Sequence, residues 1–223
     1  MSAVWKFTLL EPARLVALHH LSRELVKAGV SGSFVECGSS AGGSGALLGA
    51  VASSDPERAV WMFDSWEGVP APTEHDIMYD GQLGQAGWWA APRRRAEEIT
   101  FDVMKLEHDR VQLVQGWFDQ TLPEAKEALG DIALLHVDAD WYESVKTCFE
   151  ELYDRVVEGG VIVVDDYGCW KGCKKAVDEF IAGRPESFQL VPVDWTAVFF
   201  RKPSAPPVHR GHSEPDQRSS VDI

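Results

Sequence analysis

Ile132-Ala133-Leu134-Leu135-His136-Val137-Asp138-Ala139-Asp140, answered further along by Gly160-Val161-Ile162-Val163-Val164-Asp165-Asp166, points to a parallel α/β sheet. Each apolar run ends in a cluster of carboxylates. Near-continuous apolar runs are the mark of parallel strands covered on both faces. Acids at their carboxyl ends converge in the crevice where open α/β sheets bind ligands. Asp138 and Asp165 are 27 residues apart, which suits a turn, one crossover helix and a second strand, so the two clusters are expected to be neighbours in space. Four acids so close would raise one another's pKa unless a cation intervened. The pattern therefore predicts a divalent-cation site.

Upstream, Leu15, Leu18, Leu21, Leu25 and Val26 recur at helical spacing, giving a helix over Glu11–Ala28 that stops at Gly29. Ser33–Cys37 reads as a strand that runs into a glycine-rich turn, with Ala46–Ala52 helical beyond it. Glu36-x-Gly38-x-x-x-Gly42 gives backbone room to approach a ligand and points free helix N–H groups at its polar end. A dinucleotide loop would prefer G-x-G-x-x-G. The spacing here is closer to the loop that holds S-adenosylmethionine. On that reading Glu36, Gly38, Ser39, Gly42 and Ser44 hold the cofactor. Asp64 ends a second strand, Ala59–Phe63, and accepts hydrogen bonds from ribose hydroxyls, with Ser65 beside it. The alternatives are a turn acid at Asp64 and a solvated strand-end acid at Glu36. A third strand, Val111–Val114, leads to Gly116 and Trp117, which either meet the adenine ring or pack in the core.

Some 45 residues separate the second and third strands, far more than a crossover needs. Residues 70–91, with the pair Trp88-Trp89, form a candidate lid, and Pro92–Leu106 a helix. The tryptophans either stack on an acceptor or pack internally. Helices are expected at Leu122–Leu129, Tyr142–Val157 and Gly172–Ile181, then an antiparallel pair, Phe188–Val193 with Thr196–Arg201. The fold class is α/β: a Rossmann-like, mostly parallel seven-stranded sheet closed by a terminal antiparallel pair, with helices on both faces. By analogy that closing pair is the shape of class I methyltransferases. One domain over 1–202 is expected, with a disordered tail over 203–223.

The formal net charge of −14 belongs to the folded part, because Pro203–Ile223 carries two basic and three acidic residues. No Lys/Arg run with interleaved aromatics is present, so nucleic acid is excluded as a partner. Four cysteines lack the density of a disulfide scaffold, and Cys169 with Cys173 lacks a second pair at zinc spacing. No apolar stretch approaches the roughly 18 residues that cross a bilayer. A cytoplasmic protein without membrane partners is expected.

Several blocks lie in the same order as in a known family. They are Phe34-Val35-Glu36-Cys37-Gly38, Phe63-Asp64-Ser65-Trp66-Glu67-Gly68-Val69-Pro70, Gly116-Trp117-Phe118-Asp119-Gln120-Thr121-Leu122-Pro123, His136-Val137-Asp138-Ala139-Asp140-Trp141-Tyr142-Glu143-Ser144, Gly159–Gly168 and Gly172–Phe180. Over about residues 10–202 the chain resembles the macrocin O-methyltransferase (TylF-type) family. The resemblance implies a homodimeric, S-adenosylmethionine- and magnesium-dependent enzyme that methylates a sugar hydroxyl of a glycosylated natural product. It implies Asp138, Asp165 and Asp166 as magnesium ligands, Asp138 also at the cofactor, and Asp140 as general base. Asp140-Trp141-Tyr142-Glu143 is also spaced as a helix capping box, so Asp140 is either base or cap. His136 is the other candidate base. Two departures stand out: Ser39-Ser40-Ala41 replaces a bulkier, Arg-containing segment, and the part before the first strand is short. A catechol or other phenolic diol is the alternative acceptor. An NAD(P)-dependent oxidoreductase and a non-catalytic binding module are remoter alternatives.

Overall fold

The computed structural model describes residues 2–204, so most of the expected tail, residues 205–223, lies outside the described residues. The strands are β1 (Ser33–Cys37), β2 (Val60–Asp64), β3 (Val111–Gln115), β4 (Ile132–Val137), β5 (Val156–Val164), β6 (Val191–Pro192) and β7 (Val198–Arg201). They form one sheet in the order β3-β2-β1-β4-β5-β7-β6. The first five strands run parallel, and β7 is antiparallel to both β5 and β6. The mostly parallel α/β sheet with its antiparallel close is thus the architecture expected. All residues of β1 and β4 are buried, as continuous apolar runs demand.

The helices are α1 (Pro12–Lys27), α2 (Gly43–Ala52), α3 (Arg93–Glu97), α4 (Phe118–Leu129), α5 (Tyr142–Leu152) and α6 (Lys171–Ala182). Strand side chains alternate between faces. Phe34, Met62 and Leu134 meet Leu15, Leu18, Leu25 and Leu48 of α1 and α2 on one side. Val35, Leu135 and Ile162 meet Val145, Phe149 and Val177 of α5 and α6 on the other. Each fully buried leucine contributes roughly 1.5–3 kcal/mol, so the α1 stripe alone holds that helix to the sheet. Pro12 occupies the first turn of α1, where its missing N–H costs nothing.

Several boundaries differ from those expected. α2 begins at Gly43 rather than Ala46, because Gly42 makes the preceding turn at φ +86°. α4 begins at Phe118, four residues before Leu122, and carries Pro123 inside it at the cost of one backbone hydrogen bond. The helix expected to Val157 stops at Leu152, and after a 3₁₀ turn Val156 is already paired with Ile132 in the sheet. Pro92–Leu106 resolves into the five-residue α3 and a π-helical turn, Glu98–Val103. The closing strands shrink because Asp194 Oδ1 accepts from the N–H groups of Thr196 and Ala197, folding the chain into a turn between them. Among the described residues no helix is long and apolar enough to cross a membrane.

Candidate active site

Backbone pairing continues past the strand ends. Gly38 N–H donates to the Phe63 carbonyl at 2.8 Å, Asp138 N–H to Cys37 at 2.9 Å, Asp165 N–H to Val137 at 3.0 Å and Gly116 N–H to Asp64 at 3.0 Å. These bonds set Asp64, Gly38, Asp138 and Asp165 in one row along the carboxyl edge. The strand order reverses between β1 and β4, so the row lies at the topological switch point where such sheets bind ligands. A cleft of about 610 Å³ opens over it, which is ample for a small molecule. Gly38, Ser39, Ser44, Asp64, Ser65 and Gly116 line it, as do Trp117, Asp138, Asp140, Asp165 and Asp166. Glu36, Gly42 and His136 do not.

One half of the cleft is a backbone cradle. Gly38 has φ +94°, and an added Cβ would lie 1.7 Å from the Asp138 carbonyl oxygen, so no side chain fits between these strand ends. Asp64 is fixed by two backbone donors, Ser40 N–H at 2.7 Å to Oδ2 and Trp66 N–H at 2.6 Å to Oδ1. Burial nevertheless pushes its pKa above the usual carboxylate value, outweighing those donors. Gly42 serves packing instead: its Cβ position is 2.7 Å from the Ala96 Cα, which seats the start of α2 against α3. Ser40, Trp89 and Asp140 line the cleft with positive φ, a conformation non-glycine residues hold at a cost of about 1–3 kcal/mol and mostly at functional sites.

The other half is acidic. Carboxylate oxygens of Asp138, Asp140 and Asp166 lie within 4.8 Å of one another. Burial, followed by the neighbouring acids, pushes the pKa of Asp138 and Asp166 well up and that of Asp140 to about 7. Asp165, 3% exposed, is turned differently: its Oδ2 is ion-paired with Arg14 Nη1 from α1, while Arg14 Nε reaches Asp194 at 3.1 Å. Asp165 Oδ1 and Asp166 Oδ2 have no hydrogen-bond partner. Three crowded carboxylates, with one orphaned oxygen on Asp166 and another on the adjacent Asp165, fit a cation, and an all-oxygen donor set suits magnesium better than zinc.

Glu36 is not a solvated strand-end acid. It and His136 are cross-strand neighbours in the β1–β4 register, both fully buried, with His136 Nδ1 3.1 Å from Glu36 Oε1. His136 Nε2 lies 3.9 Å from Asp165 Oδ1. Burial alone would lower the histidine pKa, but Asp165 and Glu36 override it and raise it to about 9. The pair sits beneath the cleft floor under α2, sealed from any acceptor.

The capping-box expectation at Asp140 is overturned. Asp140 has φ +53° and precedes the N-cap residue, Trp141, and the first-turn N–H of Tyr142 is taken by Asp76 Oδ1 at 2.7 Å. Asp76 comes from the 70–91 segment, where its Oδ2 also accepts from Thr73 N–H at 2.6 Å and Oγ1 at 2.7 Å. Tyr79 N–H donates to the Cys169 carbonyl and Lys171 N–H to the Ile77 carbonyl, tying the segment along the start of α6. Trp88 and Trp89 pack edge to face, 5.4 Å apart, and both meet Trp170. All three face the cleft. Sequence reasoning missed Arg14 and Asp76, since a lone arginine on a helix and a lone loop acid carry no motif. It also left aside Asp119 and Glu143, which line the cleft and stood inside the quoted blocks.

The model of the family described as macrocin O-methyltransferase (TylF) matches residues 4–202. A tetracenomycin rhamnosyl 4'-O-methyltransferase of Streptomyces olivaceus is 32% identical over 89% of this chain and 76% of its own length. Demethyldecarbamoylnovobiocin O-methyltransferase of Streptomyces niveus is 31% identical over 87% of this chain and 75% of its own. The solved O-methyltransferase NovP is 28% identical and superposes with a TM-score of 0.78 over 89% of this chain and 83% of that one. With its cradle and acid cluster at the switch point, the chain belongs to the macrocin O-methyltransferase family and is an O-methyltransferase of the S-adenosylmethionine-using kind.

Proposed function

We propose that this chain transfers the methyl group of S-adenosylmethionine to a sugar hydroxyl of a glycosylated natural product, with magnesium at the acid cluster. The carrying observation is the convergence of the Asp138, Asp140 and Asp166 carboxylates beside the Gly38 turn, which puts a cation-fitting set and a cofactor-fitting cradle in one cleft. The Streptomyces olivaceus relative, named for a rhamnosyl acceptor, supports a sugar substrate.

Asp138 and Asp166 are the proposed ligands from the converging set, joined by Asp165 through Oδ1, the oxygen that Arg14 leaves free. Magnesium held by these residues would supply Lewis-acid polarisation of an acceptor oxygen. Asp140, released from any capping duty, takes the hydroxyl proton. Gly38, Ser39 and Ser44 receive the polar end of the cofactor, Asp64 its ribose and Trp117 its adenine. His136 and Glu36 act from below, holding β4 and Asp165 in place rather than touching the acceptor.

The test is methyl transfer from labelled S-adenosylmethionine to a panel of glycosides and catechols, with magnesium and with chelator. Magnesium-dependent labelling of glycosides is expected. Labelling of catechols alone transfers the assignment to phenolic diols, and undiminished labelling in chelator removes the metal.

A further inference from the structure

One side chain of the 70–91 segment is held in the cleft without being buried there. Trp89 lines the cleft, is 40% exposed and has φ +59°, a left-handed backbone that a bulky residue keeps only under constraint. Everything behind it is fixed. Trp170 is buried and lies nearly flat on buried Trp141, with centroids 5.4 Å apart and planes at 25°. Gly84 closes on the Trp141 ring so tightly that an added Cβ would lie 1.9 Å from Cη2. Trp88 and Trp170 meet Trp89 at 71° and 77°, so among the described residues no ring lies flat against it. Three indoles form a backing, and Trp89 is the face they present.

Hydrogen bonds place that face between the two halves of the site. Trp170 N–H donates to the Asp166 carbonyl at 3.0 Å, so the backing starts at the acid cluster. The Trp89 carbonyl accepts from Ser40 Oγ at 3.4 Å, and Ser40 N–H is a donor to Asp64 Oδ2. The aromatic wall therefore runs from the acids to the glycine turn, the interval a transferred methyl group crosses. An indole face carries negative charge density and no hydrogen-bonding group. A pyranose presents C–H groups on its faces and hydroxyls around its rim. Its C–H face against Trp89 leaves the rim hydroxyls free to reach the acids, whereas a hydroxyl standing on that face would be buried without a partner.

We propose that Trp89 stacks on the C–H face of the ring that bears the reacting hydroxyl, and so selects among epimers of that ring. Trp88 and Trp170 are positioning residues that hold the indole. This rests on the sugar O-methyl transfer proposed above.

The experiment assays the full chain, with S-adenosylmethionine and magnesium, on the methyl glycosides of a 6-deoxyhexose panel. Trp89→Leu fills the position without an aromatic face: KM should rise about tenfold with kcat within about twofold, and Trp89→Phe should keep most of the parent KM. The parent's spread of KM across epimers should narrow in the leucine variant. Calorimetry should give the three proteins the same affinity for S-adenosylhomocysteine. A readout apart from turnover is the fluorine spectrum of 5-fluorotryptophan-labelled parent with S-adenosylhomocysteine and magnesium. There the Trp89 resonance, identified by its loss in Trp89→Phe, should move when the most readily methylated glycoside is added. A leucine variant with the parent KM, or a Trp89 resonance that ignores the glycoside, overturns the stacking. So does a leucine variant that loses affinity for S-adenosylhomocysteine, which gives the ring to the cofactor, or one of smaller size by light scattering, which gives it to a second copy. A parent that methylates no glycoside overturns the proposed function itself, a different outcome from an active parent whose Trp89 is unmoved.

Discussion

Asp76 Oδ1 accepts the backbone N–H of Tyr142 at 2.7 Å, so the segment between β2 and β3 caps the helix that follows Asp138 and Asp140. Asp76 is 1% exposed and 66 residues from its partner. One carboxylate thus joins two parts of the site: Oδ1 holds the start of α5, and Oδ2 holds the turn at Thr73. Asp140 is left in the left-handed region just outside the helix, where its carboxylate turns to Asp166.

Replacing Asp76 by alanine removes a helix cap worth about 1 kcal/mol and leaves two Thr73 donors without their acceptor. A loss of about 2 kcal/mol in all corresponds to a Tm drop on the order of 4–8 °C for a chain of this size. Asp76→Asn keeps an oxygen for Tyr142 N–H and should lose less. Scanning calorimetry of the three proteins checks the order parent, Asn, Ala. An alanine variant that melts with the parent would show that the cap holds nothing.

Asp140→Asn separates base from scaffold. Asparagine tolerates positive φ as well as aspartate does, so the backbone at φ +53° is kept. The helix is untouched, because Asp76 and not Asp140 caps it. Turnover should fall about 100-fold or more while Tm stays within about 1 °C or rises, since a crowded charge has gone. Single-turnover kinetics beside a melting curve gives both numbers. An Asn variant with parent-like turnover sinks the base assignment.

The sheet edge was legible because each relevant element is local. The apolar runs before Asp138 and Asp165 announce buried parallel strands, and Gly38 and Gly42 announce the turn, from a few neighbouring residues each. The relations that organise the acids are different in kind. Arg14 meets Asp165 across 151 residues and Asp76 meets Tyr142 across 66. Neither arginine nor aspartate changes the local pattern of its own segment, so periodicity and spacing are blind to them. The capping box at Asp140 failed for the same reason: the spacing was right, but a residue from a distant loop had taken the N–H. Glu36 and His136 were each visible as strand residues, yet only the register of β1 against β4 makes them a buried pair.

Arg14→Met probes the counter-charge to Asp165. The guanidinium is shared by Asp165 and Asp194, and removing it leaves a nearly buried carboxylate with only His136 Nε2, 3.9 Å from Oδ1, as counter-charge. In chelator the variant should lose about 3 kcal/mol, on the order of 6–12 °C in Tm. Magnesium should then stabilise the variant more than the parent, because both oxygens of Asp165 become available to it. Melting with and without magnesium tests this, and a variant that matches the parent in chelator refutes the counter-charge role.

The acids and His136 also fix the sign of the pH dependence. Asp140 has its pKa raised to about 7, so between the ordinary aspartate range and pH 7 the folded chain holds more protons than the unfolded one. Stability therefore falls as pH rises through that window. His136, raised to about 9, acts in the same direction: its contribution is full below about pH 6.5 and is lost as pH climbs to 9. Without metal the Tm should decline steadily from about pH 5 to 9. Magnesium binds the deprotonated carboxylates, so its stabilisation should grow over the same range and flatten the decline. In His136→Gln the segment of decline above pH 7 should disappear while the lower one persists. Calorimetric scans across pH, in chelator and in saturating magnesium, measure all three curves. A metal-free Tm that rises with pH would mean that these groups are not the ones governing stability.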